Sequence, residues 1–474
     1  MTAANDLESL RSPMNDADRP STKPELLAPL DNTTPRFVSG SLYSHVLIMT
    51  GTGTVGLMAI FIGDFANLLF LGLLRDTEIL AAVGFATTLL FFALSASIGL
   101  SIGATAAVAP AIGARRYTEA RQLSTSAHAI AVVASLGLIL LAWPFLSDML
   151  SALGARGRTL ELARAYTEIV FVSTPLLAFA ICAAGVLRSA GDPRRAMYVT
   201  LTAAAVNVVF DPILIFWAGL GYKGAAYAAV LSRVAMAAVA YWAITRPHDL
   251  LSAPTVSAIR RDAPRVLAVA VPAILTNIAT PTANAFTTSV MARYGDGAIA
   301  AWTIFGRLVP VAFGTVFALT ASIGPIIGQN LGARRFDRLN ETVTVALQIT
   351  AAFTLLAWLL LALSAPVIVS VFGVNGEAAD LVYFFCRWLP PLFAFLGALF
   401  LANAVFNALR KPALATMFNW GRATIGTVPL VTLGGYLAGA PGVLTANLLG
   451  ATLFGTLALL VCYRTIDALA REAQ

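Results

Sequence analysis

Two carboxylates lie inside apolar stretches where a charge is hard to hold. Asp211 stands in the run Asn207-Val208-Val209-Phe210-Asp211-Pro212, and Asp64 lies near the middle of the first long apolar stretch. An ionised group at the centre of a membrane helix costs about 2.5–3.5 kcal/mol on insertion scales, so each calls for a use. The i, i+4 spacing of Asn207 and Asp211 puts both on one helix face, where the amide can hydrogen-bond and orient the carboxyl. Pro212 has no amide hydrogen, which frees the carbonyl of Val208 one turn back. A carboxyl, an amide and a free carbonyl suit a proton or a small cation. Asn67 follows Asp64 by three residues, roughly on the same face, and a carboxyl desolvated there can take up and release a proton near neutral pH. Four arginines, Arg233, Arg307, Arg387 and Arg422, also fall within apolar stretches. Each can snorkel, pair with an acid or line a cavity, and Arg233 is the expected partner of an acid in its own half.

Other chemistries find little support. The histidines (His45, His128, His248) and cysteines (Cys182, Cys386, Cys462) are scattered, so neither a metal site nor a disulfide framework is expected. No nucleotide-binding G-x-x-x-x-G-K-[ST] loop occurs, and no nucleophile–base pair converges, so the chain is not expected to be an enzyme or an ATP-driven pump. No cofactor is expected; the coupling ion would be a proton, with sodium as the other possibility. The net charge of +7 reads as arginine-rich cytoplasmic loops rather than a nucleic-acid surface.

The elements that must position these groups are membrane helices. Of the 474 residues, 58% are hydrophobic and 12% charged. Soluble domains carry about 25% charged residues. Twelve apolar stretches of spanning length follow one another: 46–74, 79–111, 127–147, 166–187, 196–217, 224–244, 265–291, 298–331, 343–372, 378–409, 413–438 and 442–463. Each meets the roughly 20 residues a helix needs to cross the hydrocarbon core, and none alternates with the period of a barrel strand. The N-terminus, C-terminus and even-numbered connections carry 21 Lys and Arg, counting Arg265 at the first position of the seventh stretch, against 6 in the odd-numbered ones. Both termini are therefore expected in the cytoplasm.

The chain also repeats. Gly113-Ala114-Arg115-Arg116 returns as Gly332-Ala333-Arg334-Arg335, an offset of 219 that also carries Ala81-Ala82 onto Ala300-Ala301 and Pro193 onto Pro412. Six helices per half makes the halves parallel repeats. The expected organisation is a disordered cytoplasmic tail (1–40), an N-lobe (41–244), a cytoplasmic connection (245–264), a C-lobe (265–464) and a short tail (465–474). An all-α, two-lobed secondary transporter follows.

With the fifth stretch in view, the chain resembles the MATE family, the multidrug and toxic compound extrusion transporters. The match is densest at Arg188-Ser-Ala-Gly-Asp-Pro-Arg-Arg-Ala-Met197, Asn207-x-x-x-Asp211-Pro212-Ile-Leu-Ile-Phe216 and Gly219-x-Gly-x-x-Gly-Ala-Ala226. The two Gly-Ala-Arg-Arg loops and Ala-Ala-Val-Gly at 81–84 also fit, so the resemblance covers about 40–464. It implies a cation-coupled antiporter in the inner membrane, expected as a monomer, exporting small amphiphilic and mostly cationic compounds. Spans 7 and 10 lack the acids of one bacterial branch, which makes the chain more similar to the branch of DNA-damage-inducible protein F. Asn207 and Asp211 match the family's span-5 pair. The family's span-1 aspartate falls on Asn67, so Asp64 would substitute from one turn earlier. A span-4 asparagine of relatives falls on Ala184, with Asn403 as its repeat mate and a candidate for the substrate cavity, as is Arg233. A span-6 hydroxyl falls on Ala229. Gly51, Gly53 and Gly56 stand in span 1 in place of the family's kinking proline. The rival reading is a flippase of a lipid-linked envelope precursor, which would need a continuous cationic cavity.

Overall fold

The computed structural model describes residues 35–472, and among them every regular element is a helix. The first half holds α1 (Leu42–Gly72), α2 (Thr77–Gly113), α3 (Tyr117–Ala142), α4 (Leu146–Ala152), α5 (Gly157–Phe171), α6 (Thr174–Ser189), α7 (Pro193–Pro212) and α8 (Tyr222–Thr245). The second holds α9 (Val256–Met291), α10 (Asp296–Ala312), α11 (Gly314–Gly332), α12 (Phe336–Phe372), α13 (Glu377–Trp388), α14 (Phe393–Ala408), α15 (Pro412–Ala423) and α16 (Val428–Glu472). Nine helical segments among the described residues are long and apolar enough to cross a membrane, and eleven when the bent pairs α5–α6 and α10–α11 each count as one. The stretch Pro412–Glu472 turns at Ala438 and Gly439 and so supplies two crossings, which completes twelve. Large apolar side chains face outward, with Leu141 and Val371 both 75% exposed. In water that surface would drive aggregation; in a bilayer it is the solvent-facing surface.

Local chemistry sets the ends of these helices. Asp76 caps α2 by accepting from the backbone N–H groups of Glu78 and Ile79 at 3.0 and 3.3 Å. Asp192 caps α7 from the Arg195 N–H at 3.0 Å, with Pro193 in the first turn where its missing N–H costs nothing. The Asp192 carboxyl also accepts from His248 at 2.9 Å and from the Arg195 guanidinium. Burial works against its charge, yet these bonds outweigh it and hold the carboxyl at about 2.

The 219-residue repeat is built into the backbone. α6 and α14 correspond at both ends, as do the ends of α2 and α11 and the starts of α3 and α12. Positive φ angles recur at the same offset: Arg115 with Arg334, Gly154 with Gly373, Gly157 with Gly376, and Gly191 with Arg410. The lobes meet where α2 packs on α9 and α11, and α1 on α11. At the end bearing the Gly-Ala-Arg-Arg loops, main chain touches main chain. A Cβ on Gly113 would lie 1.9 Å from the Gln329 carbonyl oxygen, and one on Gly332 would lie 1.9 Å from that of Pro110. The two contacts exchange under the repeat. Farther along, Gly53 packs on Ala318 and Gly314 on Met58, and there the α10–α11 span bends by 49°. Past the bend α10 makes no substantial packing against α1, so the lobes separate toward the opposite end.

Three expected boundaries shift. Residues 35–40, expected within the tail, are packed: Phe37 is 1% exposed, its N–H donates to Gln329, and its carbonyl accepts from Asn330 and Arg338. Arg36 reaches the Gly191 carbonyl of the other lobe at 2.8 Å. An aromatic ring and a guanidinium suffice to seat a segment that is polar on average. The rest of the expected tail, 1–34, lies outside the described residues. Helix α9 starts inside the expected connection, where Asp262 accepts from Gln122 at 3.0 Å and Ser126 at 2.7 Å. Helix α16 continues to Glu472, through most of the expected C-terminal tail.

Candidate functional site

Glycines in α1 bring it close enough to α7 to form the site. A Cβ on Gly56 would lie 2.5 Å from the Thr200 hydroxyl, and one on Gly63 3.6 Å from the Ala204 Cα. Positions 56, 63 and 67 follow at i, i+7 and i+11, so Asn67 continues that face toward α7. Its Nδ2 donates to Asp211 Oδ2 at 2.9 Å. Asp211 is fully buried at the last turn of α7, which passes through Pro212 into a short wide turn over Ile213–Trp217.

The expected amide–carboxyl bond within α7 does not form. Asn67, from the partner helix, takes the place foreseen for Asn207. Asn207 Oδ1 and Asp211 Oδ1 are both buried without a hydrogen-bond partner among the described residues. Both are acceptors, and neither can satisfy the other.

Asp64 turns away from this pair. It lies seven residues beyond Leu57 and eleven beyond Gly53, on the face of α1 that packs against α11 lower down. There the lobes have parted, and Asp64 is exposed with no hydrogen bond among the described residues. The first span thus divides its two polar groups, Asn67 inward to α7 and Asp64 toward the space between lobes. Tyr166 of α5, buried and within electrostatic range of Asp211, Arg233 and Asp64, is a further member that sequence reading passed over. Its hydroxyl near the start of an apolar stretch was the available signal.

The in-span arginines separate by environment. Arg233 does not pair with an acid among the described residues: its Nη1 donates to the Val170 carbonyl at 2.9 Å and the Ser173 hydroxyl at 3.0 Å. These atoms belong to the break where α5 turns by 52° into α6, so Arg233 braces a carbonyl that also accepts from the N–H and hydroxyl of Ser173. Arg307 and Arg387 are exposed, the latter 5.1 Å from the centre of the Tyr383 ring. Arg422 is 4% exposed and makes one side-chain bond, from Nη2 to the Thr280 hydroxyl at 3.0 Å. Asn403 is buried on α14 in the other lobe, with Oδ1 unpartnered. No group of three or more His, Cys, Asp or Glu residues converges among the described residues.

Twelve helices in two parallel six-helix lobes, a polar site buried in one of them and a gap between them define a transporter of small molecules. The MatE family model matches the chain twice, over residues 54–213 and 272–432, one match per lobe. The chain belongs to this family of membrane transporters. It is 28% identical over 407 residues to an FAD transporter of Shewanella oneidensis, covering 85% of this chain and 90% of that one. It is 24% identical to the multidrug export protein MepA of Staphylococcus aureus, over 88% of this chain and 92% of that one. Among solved structures, the MATE transporter VcmN of Vibrio cholerae superposes with a TM-score of 0.85 at 24% identity, covering 90% of this chain and 97% of that one. An outward-facing multidrug resistance MATE transporter gives 0.86 at 21% identity, over 93% of this chain and 99% of that one.

Proposed function

We propose that the chain is a proton-coupled antiporter that exports small amphiphilic compounds, organic cations foremost, by alternating access. The observation that carries this reading is the pair of orphaned acceptors, Asn207 Oδ1 and Asp211 Oδ1, in the buried N-lobe site. One proton on Asp211 supplies the donor that both oxygens lack, which makes its binding favourable where an ionised carboxyl is expensive. Sodium would need several more converging oxygens. The positions where relatives supply them hold Ala184 and Ala229 here. Asp64, exposed toward the inter-lobe space, is the second carboxylate and the one a cationic cargo meets first. Substrate and proton then compete for one lobe, and reciprocal linkage makes release of either favour binding of the other.

The multidrug exporter among the relatives supports the cargo class, and the FAD transporter adds flavin nucleotides to the compounds worth testing. The excess of Lys and Arg at the end where the lobes touch supports a reading with that end, and both termini, in the cytoplasm, and with the protein acting as a monomer of the inner membrane. The gap then opens outward. A flippase would want a continuous cationic cavity, which Arg233 does not serve because it is bound to the break in span 4.

Proteoliposomes with an imposed pH gradient and no sodium should accumulate organic cations. Strict dependence on a sodium gradient, with no response to pH, would refute the proton reading. Cysteines at Ala114 and Ala333 should label only from the cytoplasm.

A further inference from the structure

The orphaned polar groups where α9 meets α15 have the opposite character to those of the N-lobe. Arg422 is buried on α15, and no carboxylate pairs with it among the described residues. Its Nη2 donates to Thr280, and its Nε is buried without a partner. On α9, Asn277, Thr280 and Asn284 fall at i, i+3 and i+7 and form one stripe, the face that the Thr280 bond turns toward Arg422. Asn277 Nδ2 is also buried without a partner, while Asn284 is exposed. The orphans on these two helices, Arg265 Nε near the start of α9 included, are all donors. The lobe's unpartnered oxygens sit elsewhere, on Asn403 and Asn407 of α14 and on Asn340 and Thr354 of α12, and neither helix makes substantial packing against α9. A buried guanidinium with no counter-charge is costly, and an anion is the ligand that removes the cost. Phe61, the repeat counterpart of Thr280, stands one turn from Asp64, so the donor site and that carboxylate lie at similar depth on opposite lobes.

We infer that Arg422, with Asn277, Thr280 and Asn284, is an anion-recognition subsite for a phosphate or carboxylate group on the exported compound. This rests on the export reading above and extends the cargo class to amphiphiles carrying an anionic group.

The test uses the full chain purified in detergent, with riboflavin and riboflavin 5′-phosphate, which differ by one phosphate monoester, and phosphatidylglycerol as the lipid source of the same chemistry. Binding is read by flavin fluorescence and by thermal stabilisation. The phosphorylated flavin should bind about tenfold more tightly than riboflavin, the scale of one charge-assisted pair. Arg422→Gln should bring that ratio to one, and Arg422→Lys should keep part of it. Without ligand, Arg422→Gln should melt no lower than the parent chain, because an uncompensated charge is lost; a purely structural arginine would give a lower melting temperature. Thr280→Val, which keeps the charge, should narrow the ratio without abolishing it. A ratio of one in the parent chain, a ratio unchanged by Arg422→Gln, absence of binding by either flavin, or stabilisation through Arg422 by phosphatidylglycerol alone would each overturn the inference. Binding is measured without a gradient, so a phosphate preference that survives while pH-driven uptake fails would count against proton coupling and leave the subsite standing.

Discussion

The two lobes share one set of helices at a fixed offset, yet carry opposite chemistry on them. Asp64, Asn67, Asn207 and Asp211 of the N-lobe correspond to Ala283, Phe286, Gly426 and Leu430 of the C-lobe. In the other direction, Arg422 and Thr280 correspond to Ala203 and Phe61. The N-lobe buries acceptors that want a proton, and the C-lobe, between α9 and α15, buries donors that want an anion. A repeated scaffold thus leaves each half free to hold a polar site at a different register, so the two need not compete for one position. On the roles proposed above, coupling and part of cargo recognition should be separable.

The sharpest way to break that division is to exchange equivalent positions. Asp211→Asn should reduce gradient-driven export to background with expression intact, whereas Leu430→Asn at the matching C-lobe position should retain most of it. Drug resistance of an efflux-deficient host checks both, and equal losses would erase the distinction between lobes.

Asp192 and its counterpart Lys411 test the same asymmetry at the loops. Holding a carboxyl at about 2, against an ordinary value near 4, contributes on the order of 2 kcal/mol at neutral pH. Because the folded value is depressed, this contribution is full above the ordinary value and disappears as pH falls through about 2. Asp192→Asn should therefore lower the melting temperature by a constant amount from pH 5 to 7 and by less below pH 4. Lys411→Ala should show no such pH-dependent gap.

The inter-lobe glycines, by contrast, should behave alike. Gly113→Ala and Gly332→Ala each drive a methyl group into a carbonyl oxygen of the opposite lobe, an overpacking cost of about 1–3 kcal/mol. Each should slow transport by roughly tenfold, and a large inequality between them would show that the contact is less symmetric than the backbone. The smallest effect separates two asparagines. Asn67→Ala removes the bond to Asp211, worth about 1 kcal/mol, and should move the pH dependence of uptake more than Asn207→Ala does.

Much of this was legible in the sequence. The twelve crossings, the 219-residue repeat and Asp211 as the buried acid follow from apolar run length, from one recurring loop and from the cost of a charge in hydrocarbon. What could not be read is what depends on contact between helices. Asn207 had the right spacing to hold Asp211, but Gly56 and Gly63 let α1 approach so closely that Asn67 arrives instead. Arg233 looked like a counter-ion, yet the bend between Phe171 and Thr174 turns the Val170 carbonyl and the Ser173 hydroxyl toward it, and they claim it. Composition averaged over residues 1–40 hid the single ring of Phe37 that seats the segment's end.

The paired approaches of Gly113 to Gln329 and of Gly332 to Pro110 have the form of an isologous interface, in which each partner offers the notch that receives the other's carbonyl. Either six-helix half carries both components of that contact. Two identical copies of such a half could close about a two-fold axis as a homodimer, with nothing left over at the seam. Joining the copies through the stretch from Arg246 to Thr255 fixes their stoichiometry at one to one. Once tethered, the copies are no longer bound to stay alike, and a carboxylate can settle in one while a guanidinium settles in the other.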